Sequence, residues 1–264
     1  MSIWESIVLG VIQGLTEFLP VSSSGHIEIG QALLGTESLK EQEELLSVVL
    51  HAATALATIV VFRKDILTIL QGLVSKEDKE QKRFSLFVII SMIPAAIVGV
   101  FFDDLLDQLF EGQLVLVCSM LLLTGAQLLF AERAKIESTE KLTWGKALII
   151  GIAQAIAILP GISRSGATIS TSILLKVDRA QAARFSFLMV VPLILGKMAK
   201  DILDGKLQLS EDLVMPFVAG FVAALLAGIF ACQWMIAIVK KSKLSYFAYY
   251  CWFVGIVGLF YTLV

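Results

Sequence analysis

GVIQGLTEFLPVSSSG, residues 10–25, lies without a gap over GIAQAIAILPGISRSG, residues 151–166. Gly10/Gly151, Gln13/Gln154, Ser22/Ser163, Ser24/Ser165 and Gly25/Gly166 coincide, and the Leu-Pro pair is displaced by one position. Each stretch sets a proline and a Ser/Gly-rich break inside apolar sequence. Non-helical backbone at bilayer depth is tolerated only where it is buried in protein or lines a wet cavity. The two interruptions therefore point to a site, and their likeness points to a duplication. Later stretches echo one another as well: RKDIL (63–67) with AKDIL (199–203), and the Cys…Gly pair 118/125 with 251/258. The expected repeats are 1–135 and 141–264.

The rest of the chain places these breaks in a membrane. Of 264 residues, 57 % are hydrophobic and 17 % charged, where a soluble domain carries about 25 % charged. Mean hydropathy is +0.85. A net charge of -2 with no basic footprint argues against a nucleic-acid partner. The first Lys or Arg is Lys40, so the N-terminus lacks the basic region of a signal peptide. Cys118, Cys232 and Cys251 lie in apolar runs without a CxxC. They read as small buried hydrophobes, not as a disulfide framework.

Five stretches have the length and apolarity of membrane spans, 45–62, 84–102, 114–130, 213–239 and 244–264, and a shorter sixth candidate, 185–199, is helped by Lys197 and Lys200 snorkelling at its end. Residues 2–35 and 147–175 read instead as helix–loop–helix pairs that enter the bilayer and return. Three spans per half is an odd number, so the second half enters from the opposite side and the repeats are inverted, with the breaks meeting near the midplane. The expected fold is thus an all-α integral membrane protein with six transmembrane helices and two re-entrant pairs in two inverted-topology repeats. The segments 63–83, 132–146, 176–184 and 240–243 hold sixteen of the 21 Lys and Arg residues. The positive-inside rule makes their side cytoplasmic. Both termini and the acidic DDLLDQLFEG loop (103–112) then face outward.

The breaks carry the chemistry. Glu17 is a carboxylate at bilayer depth, where charge is costly and as a rule functional. Gln13 shares its helical face. Ser22, Ser23, Ser24 and Gly25 can present hydroxyls and N–H groups to an anion at the start of a short helix. His26 on that helix can serve as general acid, base or nucleophile. Arg164 is the one basic residue deep in its apolar segment, and a guanidinium offers a bidentate fork to phosphate oxygens. Ser163, Ser165, Gly166 and Thr168 surround it. Two bland readings stand beside this one: the serines are helix-packing residues, and Arg164 only neutralises Glu17. Glu5 and Glu28 read as surface or cavity-edge residues. His51 reads as a hydrogen-bonded interhelical residue rather than a catalyst, and Pro94 and Pro192 as kinks.

QGLTEFLPVSSSGH (13–26) and PGISRSGAT (160–168) resemble the two signatures of the undecaprenyl-pyrophosphate phosphatase family of the bacitracin-resistance type, in order and in distance. FSFLMVVP (185–192) fits it as well. The resemblance implies an integral membrane hydrolase of the bacterial inner membrane, with its site toward the outer face. Such an enzyme cleaves undecaprenyl pyrophosphate to the lipid monophosphate and inorganic phosphate for cell-wall synthesis. It also implies dependence on a divalent cation, Mg²⁺ or Ca²⁺. The acidic signature maps to Gln13 and Glu17, the Ser/His pair to Ser23 and His26, and the phosphate motif to Ser163, Arg164 and Thr168. Many members have Glu where this chain has Gln13, which leaves Glu17 as the sure carboxylate for a metal, with Gln13 beside it.

The expected partners are the polyprenyl pyrophosphate, the bilayer and a second copy in a homodimer. The nucleophile stays open among Ser23, His26 and water. The competing reading is a polyprenyl-phosphate flippase or transporter, because inverted repeats with broken helices are also transporter architecture.

Overall fold

The computed structural model describes residues 1–34, 40–102, 109, 113–134, 139–203, 211–240 and 243–263. The described residues form eleven helices and no strand, apart from one isolated bridge. In chain order these are α1 (Ile3–Phe18), α2 (Ser23–Leu34), α3 (Lys40–Val61), α4 (Arg63–Val74), α5 (Lys79–Phe101) and α6 (Leu114–Arg133), then α7 (Trp144–Ile156), α8 (Arg164–Leu174), α9 (Arg179–Leu203), α10 (Glu211–Lys240) and α11 (Ser245–Leu263).

Both interrupted segments are two short helices around a break. A capping box starts α1: Glu5 N donates to Ser2 Oγ, and Ser2 N donates back to Glu5 Oε2 at 2.8 Å. Glu5 is thus a cap. After the break α2 folds back on α1, and a Cβ on Gly30 would sit 3.2 Å from Ile12 and 3.3 Å from Leu9. The second pair closes in the same way. Glu140, before α7, bridges Val177, past the end of α8, and its carboxylate pairs with Lys146 at 2.8 Å and Lys176 at 3.7 Å.

Among the described residues, four helices are long and apolar enough to cross a membrane: α5, α6, α9 and α10. The bent pair α3–α4 is a fifth if its two helices count as one span. Residues 63–74, read from the sequence as part of a loop, form helix α4, turned 77° from α3 at Phe62. Leu67, Leu70, Leu73 and Val74 on it are exposed, as on a helix lying at an interface. The sixth expected span coincides with α11, which has 19 residues. Rows of exposed aliphatic residues, such as Leu86, Ile89, Ile93, Ile97 and Val100 on α5, suit lipid contact. The 103–112 loop falls almost wholly outside the described residues.

The halves interlock. Helix α1 packs on α10, α7 on α5, and α6 on α11. Small residues allow the close approach. A Cβ on Gly14 would stand 2.5 Å from Ala224 O, and one on Gly151 2.5 Å from Ser91 O. Gly10 meets Gly220, and Gly258 meets the Cys118 thiol. All three cysteines are free and buried. Pro94 and Pro192 sit inside continuous helices. The largest core cluster, from Phe18 and Val21 to Phe187 and Cys251, runs behind the two breaks.

Candidate active site

The two breaks touch. Ser165 Oγ donates to Leu19 O at 3.2 Å, a Cβ on Gly25 would lie 3.2 Å from Gly161, and one on Gly166 would lie 3.3 Å from Pro20. Each break ends in the same device. Ser22 Oγ accepts from Gly25 N at 3.3 Å and lies 3.3 Å from Ser24 Oγ. Ser163 Oγ accepts from Gly166 N at 3.0 Å and lies 3.3 Å from Ser165 Oγ. These serines cap α2 and α8, whose first residues are Ser23 and Arg164. Two helix N-termini, with their partial positive charge and first-turn N–H groups, therefore converge on one place. The turns demand unusual backbone: Ser22 has φ 71° and Gly161 φ 89°. The first is a strained conformation for a residue with a side chain.

Glu17 is the hub. Arg164 Nη2 donates to its Oε1 at 2.6 Å, across 147 residues of sequence. Ser23 Oγ donates to Oε2 at 2.8 Å and Gln13 Nε2 donates to the same atom at 3.1 Å. His51 Nε2 stands 3.8 Å from Oε2, and its Nδ1 is 2.8 Å from Ser47 O. A carbonyl can only accept, so Nδ1 carries the proton there and Nε2 is the nitrogen turned to the carboxylate.

Arg164 is held from its other side. Nη1 donates to Ser186 O at 3.2 Å. Thr168 Oγ1 donates to Arg164 O at 2.9 Å and lies 2.6 Å from Ser186 Oγ. Thr124 Oγ1 accepts from Ser163 N and donates to Gly161 O, both at 3.1 Å, which pins the turn before Arg164. A guanidinium has five N–H donors, and only two are used by these contacts. With its side chain 16 % exposed, Arg164 retains donors for an anion.

Most of the residues expected from the sequence therefore meet: Glu17, Ser23, Gln13 and Arg164 in direct contact, with Ser22, Ser24, Ser163, Ser165, Gly166 and Thr168 building the turns around them. His26 is one turn further along α2 and faces α11. Its Nδ1 donates to Ser22 O at 2.8 Å, and its Nε2 is 2.9 Å from Tyr250 OH in a stacked pair. The partner of Ser23 is Glu17. Sequence reasoning gave His51 the lesser role, and it did not reach Ser186, Thr124 or Tyr250. Their only trace in the sequence is a polar atom in an otherwise apolar run.

For a divalent cation the donors are partial. Gln13 Oε1 is buried without a hydrogen-bond partner beside a carboxylate, and oxygen donors suit Mg²⁺ or Ca²⁺. Among the described residues no group of three or more His, Cys, Asp or Glu side chains gathers around a metal position. The set fits a cation that brings its remaining ligands with it, as phosphate oxygens and water.

Chemically, the cluster is a hydroxyl bonded to a buried carboxylate, next to an anchored arginine and two helix N-termini. That combination suits nucleophilic attack on a phosphoryl group. Residues 6–257 match the family described as "Bacitracin resistance protein BacA". An undecaprenyl-diphosphatase of Christiangramia forsetii is 56 % identical over 262 residues, covering 99 % of both chains. One of Parabacteroides distasonis is 46 % identical over 268 residues, covering 100 % of this chain and 99 % of its own. One of Carboxydothermus hydrogenoformans is 39 % identical over 261 residues, covering 97 % and 96 %. The chain belongs to the bacitracin resistance protein family.

Proposed function

We propose that this protein is a multi-pass membrane phosphatase that hydrolyses undecaprenyl pyrophosphate to undecaprenyl phosphate and inorganic phosphate, and so recycles the lipid carrier of cell-wall synthesis and confers bacitracin resistance. One observation carries the reading. Ser23 Oγ bonds to Glu17 Oε2 while the other oxygen of Glu17 bonds to Arg164, and Ser23 and Arg164 are the first residues of α2 and α8.

In this mechanism the pyrophosphate lies between the two breaks. Arg164 and the first-turn N–H groups of α2 and α8 bind its oxygens and stabilise charge on the transferring phosphoryl group. Ser23 is the nucleophile. Its Oγ bonds to the terminal phosphorus, its proton passes to Glu17, and the bridging oxygen leaves with the lipid monophosphate. Glu17 passes that proton to the departing phosphate; water then attacks the phosphoserine, and Glu17 takes the water's proton and returns it to Ser23 Oγ as inorganic phosphate is released. His51 Nε2 stands 3.8 Å from Glu17 Oε2. When bound, a divalent cation held by Glu17 and Gln13 Oε1 offsets phosphate charge.

The finer architecture belongs to the same proposal: six spans and two re-entrant pairs in inverted repeats 1–135 and 141–264, in the inner membrane, with both termini and the site toward the periplasm. The reciprocal packing of α1 on α10 and α7 on α5 supports the repeats, and the sixteen clustered Lys and Arg residues support the sidedness. A homodimer is part of the proposal, and the mass of the protein in detergent tests it.

The test is phosphate release from polyprenyl pyrophosphate by the purified protein, with and without chelator. Release that stops with chelator is expected, and no release in any metal would overturn the reading. The rival, a polyprenyl-phosphate transporter, predicts movement of labelled lipid phosphate between liposome leaflets without release.

A further inference from the structure

His26 takes no part in the phosphoryl transfer described above, yet both of its ring nitrogens are bonded. Nδ1 lies 2.8 Å from Ser22 O, and Nε2 lies 2.9 Å from Tyr250 OH, which α11 brings from 224 residues away. A carbonyl oxygen only accepts, so Nδ1 carries the proton. In a neutral imidazole Nε2 is then the acceptor, and the tyrosine hydroxyl donates to it. The two rings are nearly parallel, 10° apart with their centroids at 5.5 Å. The next residue of α11 meets the same break, with Cys251 Sγ 3.8 Å from Pro20 O. Helix α11 is itself packed along α6, so Tyr250 reaches the first break from a fixed support.

The carbonyl that His26 holds belongs to a strained residue. Ser22 is buried and has φ 71°, and a residue with a side chain keeps that conformation only where its surroundings over-determine it. Ser22 O accepts from His26 twice, from the backbone N at 3.2 Å and from Nδ1 at 2.8 Å. The same peptide unit continues into Ser23, whose Oγ reaches Glu17 Oε2 at 2.8 Å. A series of hydrogen bonds therefore runs from Tyr250 through the imidazole to the peptide that carries the nucleophile. Its direction matters. With the proton on Nε2 instead, Nδ1 would turn a lone pair on Ser22 O, and the brace would become a repulsion. We propose that Tyr250 is a positioning residue for the transfer: its hydroxyl holds His26 in the Nδ1–H tautomer, which braces the Ser22 peptide and keeps Ser23 Oγ on Glu17. The proposal rests on the phosphatase reading for the reaction that Ser23 performs. It also leaves Nε2 already bonded, with no free lone pair to attack phosphorus.

Tyr250→Phe removes the hydroxyl and keeps the ring, so the stack on His26 survives. The full-length protein in detergent is isotopically labelled at its histidine ring nitrogens and read by nitrogen NMR, without substrate. The chain has two histidines, His26 and His51, and a spectrum of His51→Gln assigns them. The native protein should show His26 with the proton on Nδ1 and a hydrogen-bonded lone pair on Nε2. In Tyr250→Phe the Nε2 resonance should move toward that of a lone pair without a donor. Loss of one hydrogen bond between neutral groups is worth about fivefold, so kcat for polyprenyl pyrophosphate should fall about fivefold while KM stays within about twofold. A proton on Nε2 in the native protein, an Nε2 resonance that Tyr250→Phe does not move, an unchanged kcat, or a loss confined to KM would each overturn the proposal. Because the ring nitrogens are read without turnover, the two readings fail separately. The expected spectra from a protein that releases no phosphate would refute the phosphatase reading and leave the Tyr250–His26–Ser22 brace standing.

Discussion

Replacing Arg164 tests the hub of the site. Its guanidinium joins Glu17 Oε1 at 2.6 Å to Ser186 O at 3.2 Å, and three N–H donors remain for phosphate. Lysine keeps the charge but is a single nitrogen on a flexible stem. It cannot span Glu17 and Ser186 while forking to a phosphoryl group. Loss of one donor to developing transition-state charge costs about 10²–10³ in turnover, so Arg164→Lys is expected to lower kcat about 100-fold while the protein still folds. Arg164→Leu goes further. It leaves Glu17 buried and uncompensated, and breaking a buried pair from one side costs about 3–5 kcal/mol. Glu17→Gln/Arg164→Leu removes both charges and should recover about 2 kcal/mol or more of that loss while staying inactive. The assays are phosphate release from polyprenyl pyrophosphate and thermal unfolding in detergent. Turnover by Arg164→Lys within about threefold of the native enzyme would refute the role given to the fork. A double variant no more stable than Arg164→Leu would refute the pairing.

Ser23→Ala removes the hydroxyl that donates to Glu17 and should cut phosphate release by about 10³-fold or more while thermal stability changes little. For His51, whose Nε2 stands 3.8 Å from Glu17 Oε2 and can donate to it only as the imidazolium, the Ala variant should turn over about tenfold more slowly; an unchanged rate would make the contact incidental. Glu140, outside the spans, is held below the usual carboxylate range by its hydrogen bond to Lys146, with Lys176 adding to it. Its contribution to stability is present above the ordinary Glu pKa and is lost as the pH falls through the lowered one. Glu140→Gln should therefore remove an acid-dependent part of the unfolding profile without changing neutral-pH turnover, and an unchanged profile would rule this out.

How far the sequence discloses this site depends on contrast. Glu17, Arg164 and the two serine-rich breaks stand out because polar atoms at bilayer depth have few uses other than pairing or function. Their alignment also points to a duplication, and each interrupted segment is a pair of short helices around a break. Which atoms meet is another matter. That Arg164 reaches Glu17 across 147 residues depends on how the two breaks meet, where Ser165 Oγ bonds Leu19 O, and Gly14 and Gly151 state only that something comes close. His51 illustrates the limit. A histidine in an apolar helix serves equally well as an interhelical bond, and only the packing of α3 beside α1 turns Nε2 toward the carboxylate. Ser186 and Thr124 leave still less trace, since a lone hydroxyl in a membrane helix usually bonds its own backbone. Helix α4 was hidden by its composition: its charged first turn reads as loop, whereas its leucines lie on one face.

The central claim is that Ser23, activated by Glu17 and facing Arg164, takes the phosphoryl group. It is tested most directly by rapid quenching of the native enzyme with substrate labelled in the terminal phosphate, followed by mapping of the bound label. Label on Ser23 that forms and decays at rates compatible with turnover, and that is absent from Ser23→Ala, is the result expected. Full turnover with no label on the protein, or label on His26, would contradict it.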